Sequence, residues 1–131
     1  MRAFLRTVLL LISVVLISCT ACVETVFDGD RIVNDDAFLL RFTMLNRTES
    51  AALSAVSGQE AFLVQIALDG GTVDLVITGP DGTPAYRGTE LQSASFEVVL
   101  PRSGTYTIDV TGKKAAGMVE ITRQNAPEYG A

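Results

Sequence analysis

The sequence predicts an all-β fold: an antiparallel, jelly-roll-like sandwich of about seven to eight strands, preceded by an N-terminal signal helix. Three observations carry this. From Ala37 onward apolar residues recur with a period of two, the mark of strands with one face on a core and one in water. Glycine, proline and aspartate clusters interrupt these runs at roughly 8–12-residue intervals, as turns do in sandwiches and barrels. No helical stretch of comparable strength follows the first 18 residues. The 131 residues amount to a single domain once that leader is set aside.

The first element is an export segment. Arg2 and Arg6 form a basic head, and Thr7 to Ile17 is almost wholly apolar. That is the secretory pattern, and it falls short of the roughly 20 apolar residues a permanent membrane span needs. The apolar core ends at Leu16-Ile17-Ser18-Cys19, which resembles the lipobox of bacterial lipoproteins: an aliphatic residue three before a cysteine and a small residue just before it. The resemblance implies cleavage after residue 18 and a thioether-linked diacylglycerol on Cys19. It further implies a partner, the membrane itself, held through the N-terminal lipid on the extracytoplasmic side, at the cell surface or in the periplasm. Ile17 departs from the small residue more usual there. Cys22 is the other candidate for modification, but it lacks the aliphatic residue three before it. A Cys19–Cys22 disulfide is a third option, which at a chain terminus would stabilise no fold. Two or three acyl chains make attachment effectively permanent.

Residues 19–36 read as a flexible acidic tether carrying Glu24, Asp28, Asp30, Asp35 and Asp36, with Val23 to Phe27 pairing weakly as a strand at most. Asp28, Asp30, Asn34, Asp35 and Asp36 together also offer oxygen ligands to calcium, although the EF-hand glycine and terminal glutamate are missing. Calcium therefore stands as the alternative to a plain hydrated linker.

The folded domain is expected at residues 37–123. Phe38, Leu40, Phe42 and Met44 share one face of its first strand. Ala51 to Val56 follows as a weaker strand, preferred over a short uncapped helix. Phe62, Val64, Ile66 and Leu68 mark the next run, and Asp69-Gly70-Gly71 reads as a hairpin turn into Val73, Leu75 and Ile77. Gly79-Pro80-Asp81-Gly82 turns the chain toward a weak strand at Pro84 to Arg87. Ala94, Phe96, Val98 and Leu100 come next, then the turn Pro101 to Gly104, then Tyr106, Ile108 and Val110. Gly112 to Gly117 reads as a looser hairpin before Val119 and Ile121. Residues 124–131 form a polar tail expected to fray.

The stretch from Gly71 to Gly82, with its Pro-Asp-Gly turn, and Phe96 to Val110, with Gly104-Thr105-Tyr106-Thr107-Ile108, resemble the jelly-roll modules typified by the bacterial pre-peptidase C-terminal domain and the related GOLD-type sandwiches. The likeness spans about Gln59 to Arg123 and implies a non-catalytic accessory or binding module. This chain is expected to depart from the secreted-peptidase version in carrying no protease.

Composition narrows the function further. Histidine is absent, which excludes Ser-His-Asp triads, Cys-His dyads and histidine metal sites. Without Arg2 and Arg6 the ten basic residues become eight against fifteen acidic, net −7, and the one adjacent basic pair is Lys113-Lys114. Nucleic acid is therefore not an expected partner. Asp74 and Asp109 could form a carboxylate pair, but as hydrated strand-face groups they are expected to titrate normally. Asp69 and Asp81 are expected to cap turns. A glycan platform would need exposed aromatics, and only Tyr86 and Tyr129 are expected outside the core. No catalytic residue, metal ligand or cofactor is assigned. The expected function is a lipid-anchored interaction module at the bacterial cell envelope, working through a strand edge or turn cluster on an envelope protein or glycan. The alternatives are a carbohydrate- or solute-binding lipoprotein and a structural subunit of an envelope assembly.

Overall fold

The computed structural model describes residues 25–125. These hold seven strands: β1 Phe27–Val33, β2 Ala37–Leu45, β3 Thr48–Ala55, β4 Glu60–Thr78, β5 Pro84–Leu91, β6 Ala94–Leu100 and β7 Gly104–Asn125. There is no helix among the described residues. Every pairing is antiparallel, and all seven strands join one hydrogen-bonded sheet. The expected all-β antiparallel architecture is present. Cys19, Cys22 and Tyr129 lie outside the described residues.

Two expected hairpins prove to be bends. Asp69-Gly70-Gly71 lies inside β4, which runs for 19 residues, and Gly112 to Gly117 lies inside β7, which runs for 22. The two strands pair with each other along their length, from Glu60 opposite Asn125 to Thr78 opposite Thr107. Their glycine stretches face one another, and the register slips between Leu68 and Gly70 and again between Gly70 and Thr72. Such bulges fold a ribbon without reversing its strands. Gly71 takes φ +70°, and a Cβ there would run into the backbone oxygens of Lys113 and Lys114. Only glycine fits both demands.

The bend turns one sheet into two facing layers. The first halves of β4 and second half of β7 lie with β6, β2 and β1. The second half of β4 and first half of β7 lie with β3 and β5. Phe38, Leu40, Phe62, Val64 and Ile121 come from the first layer, Leu53, Leu75, Ile77, Tyr106 and Ile108 from the second, and all are at most 1% exposed. Phe62 meets Tyr106 edge-on across the interior, ring centroids 5.7 Å apart. The result is sandwich-like and not a closed barrel, since β1 does not pair with β3, nor β5 with β6.

The stretch expected as a tether contains a strand. β1 pairs with β2 from Phe27 opposite Leu45 to Val33 opposite Phe38. Its acidic residues hid it, because an edge strand tolerates charge that a central one cannot. The Arg47 guanidinium lies 5.4 Å over the Phe27 ring, and Arg31 lies 5.5 Å over Phe38. At the other terminus β7 continues through Gln124 and Asn125, two residues into the expected tail.

Candidate functional site

β1 and β3 are edge strands: among the described residues each pairs on one side alone. Between their outer edges lies a cleft of about 500 Å³. Val33 from β1, Ala52 and Ser54 from β3, and Val56 just beyond β3 line it, with Asp35 and Arg123 at the rim. Val33 is 40% exposed and Val56 75%, both high for large apolar side chains. Ile32, on the opposite face of β1, is 54% exposed.

Two arginines cross this seam. Arg31 follows Gly29 and precedes Val33 on the inward face of β1, where the strand overhangs the core. Its guanidinium donates to the Ser50 carbonyl and stands 3.6 Å from the Glu49 carboxylate. Arg47 approaches the same carboxylate at 2.6 Å. Arg123 continues the inward series of Val119 and Ile121 on β7, so its stem closes the end of the sandwich. Its guanidinium donates to the Ser54 carbonyl and pairs with Asp36. Ser50 and Ser54 thus have their outward carbonyls occupied, and strand alternation aims the backbone of Ala52 into the gap between them.

The acidic residues considered for calcium are spread out. Asp28 and Asp30 lie along β1, opposite Met44 and Arg41. Asn34 Oδ1 accepts the Asp36 and Ala37 N–H groups, both at 2.9 Å, making the β1–β2 turn. Among the described residues no group of three or more His, Cys, Asp or Glu is placed to hold a metal ion. Asp74 and Asp109 are likewise engaged separately. Asp74 accepts the Glu90 N–H at 2.8 Å and faces Lys113 at 3.2 Å. The Glu90 bond first, and Lys113 after it, hold its carboxyl below the usual range. Asp109 accepts from the Ser50 hydroxyl. Asp81 caps its own turn, as expected. It accepts the Thr83 hydroxyl at 2.7 Å and the Thr83 N–H at 3.2 Å, which keep its carboxyl low.

Tyr86, expected outside the core, is not fully exposed. It is half-buried and packs on Phe96 with centroids 4.9 Å apart. That contact joins β5 to β6 across the other seam of the sandwich. Tyr106 is placed as expected: its ring is fully buried and its hydroxyl donates to the Arg102 carbonyl at 2.7 Å. The cleft itself left little trace in the sequence. Arg31 lies in a segment without a period of two, and Arg123 is 69 residues from its partner Ser54. The one available signal was an arginine following two inward apolar residues, Val119 and Ile121.

Compared with known proteins, the chain matches no family model and no curated protein. No helix among the described residues is long and apolar enough to cross a membrane.

Proposed function

We propose that this chain is a lipid-anchored, non-catalytic binding module on the extracytoplasmic side of a bacterial membrane, and that it receives an extended segment of an envelope protein between β1 and β3. The carrying observation is the cleft: two strand edges flank it, and Val33 and Val56 expose apolar surface to it. A segment laid there gains main-chain hydrogen bonds from a strand edge and contacts for alternate side chains. The lipobox-like run ending at Cys19 supports the anchor. The absence of histidine, and the separate engagement of Asp74 and Asp109 by Glu90 and Ser50, favour binding over catalysis.

A single preparation tests both parts. The full chain is expressed with a photo-crosslinking residue at Val56 or, as a control, at Arg87 on β5, and extracted from membranes after irradiation. A mature start at Cys19 bearing diacylglycerol, lost in Cys19→Ser, is expected from the intact mass. A discrete adduct is expected from position 56 and not from 87. An unprocessed, lipid-free mass overturns the anchor. The same adducts from both positions, or none, overturn the cleft. An adduct of twice the chain's mass makes the occupant a second copy, as an assembly subunit would require.

A further inference from the structure

We infer that the domain stands on its membrane by the end where β4 and β7 bend, and so holds the β1/β3 cleft away from the bilayer. This orientation rests on the lipid at Cys19 proposed above. It follows from where the chain enters the fold and how few residues separate that point from Cys19.

Entry is at Val26, whose carbonyl accepts the Asn46 N–H at 2.7 Å. Asn46 lies between β2 and β3, and its side-chain oxygen accepts the Lys114 N–H at 3.1 Å. The next carbonyl, of Arg47, accepts the Gly112 N–H at 3.0 Å. The entry point is therefore tied directly to the bent stretch of β7. The cleft opens at the opposite end, among Asp35, Val56 and Arg123.

Length decides between the two postures. Seven Cα steps separate Cys19 from Val26, which reach at most about 25 Å fully extended. From Val26 to Asn34, β1 and its flanks rise about 3.3 Å per residue, or about 26 Å. Standing on the cleft end would demand the whole contour of residues 19–26 drawn out along the length of β1, whereas standing on the bent end demands no such extension. Charge does not set the posture. Arg47, Lys113 and Lys114 crowd the bent end, but Asp28 and Asp69 lie there too, and Arg47 and Lys113 already engage Glu49 and Asp74. The occupant of the cleft then arrives from the compartment, and the anchoring bilayer cannot fill it.

The test uses the lipidated full chain with Cys22→Ser and one new thiol, labelled with a fluorophore. Gln92→Cys places the label in the β5–β6 turn beside Gly70 and Gly71 at the bend. Ser57→Cys places it next to Val56 at the cleft end. Each protein is put into phosphatidylcholine vesicles containing headgroup-spin-labelled lipid. Quenching is expected to be several-fold stronger at position 92 than at 57. Equal or reversed quenching, with the intact mass showing lipid on Cys19, overturns the orientation and leaves the anchor standing. An intact mass without lipid overturns the anchor and this posture with it.

Discussion

At the residue scale, Tyr106 and Phe96 show what a period of two can and cannot specify. Alternation fixes which face a side chain takes, and the turn before Tyr106 supplies a nearby carbonyl for its hydroxyl. Both features were legible in Gly104-Thr105-Tyr106. Alternation does not fix depth. Phe96 takes the same face as Val98 and Leu100, but it stays half-buried against Tyr86 because β6 is an edge strand. Truncating the two phenylalanines should therefore cost different amounts. Phe62→Ala, which empties a fully buried site against Tyr106, is expected to lose about 3–5 kcal/mol in urea denaturation. Phe96→Ala is expected to lose about 1–2 kcal/mol, for a half-buried ring and one aromatic contact. Equal losses would mean that Phe96 is as deeply packed as Phe62. The seam-crossing arginines were illegible for a different reason. A guanidinium's partner is chosen by tertiary proximity, and nothing near Arg123 in sequence announces Ser54.

At the element scale, the glycine stretches were legible as interruptions but not as bends. Asp-Gly-Gly between two alternating runs satisfies a tight turn and a bulge equally well. Which one forms depends on whether the flanking runs pair with each other or with a third segment. Here both pair with β7, so the chain continues through. The two glycines of β4 should then differ sharply. Gly71→Ala is expected to destabilise by about 1–3 kcal/mol, since it combines a left-handed φ with contact on β7's backbone. Gly70→Ala, where an added Cβ meets nothing within 4 Å, is expected to shift the urea midpoint very little. Comparable shifts would place a free turn at this point and not a bend against β7. β1 was missed because Phe-Asp-Gly-Asp-Arg-Ile-Val has no clean alternation. Its place is set by pairing with β2, which was predicted from its own pattern.

At the scale of the whole molecule, β4 and β7 run through both layers, so neither layer can leave without breaking the ribbon they share. Unfolding should be a single cooperative event. Native-state hydrogen exchange in rising urea should bring the amides of Val64, in the first layer, and Ile108, in the second, onto one common opening. Two separate openings would show that the bend acts as a hinge between independent halves. The ribbon also joins residues far apart in the chain, such as Glu60 and Asn125, so folding belongs among the slow, non-local β topologies. The guanidiniums of Arg31 and Arg123 have a consequence for crowding. Held by the lipid anchor proposed above, the protein would be concentrated in two dimensions, where a bare strand edge invites runaway edge-to-edge polymerisation. With Ser50 and Ser54 occupied, the open edge of β3 between them spans only about 13 Å. That is room for one short segment and too little to template a growing fibre, so on the proposed anchor the same two side chains would admit a guest at β3 and keep neighbouring copies from stacking on that edge.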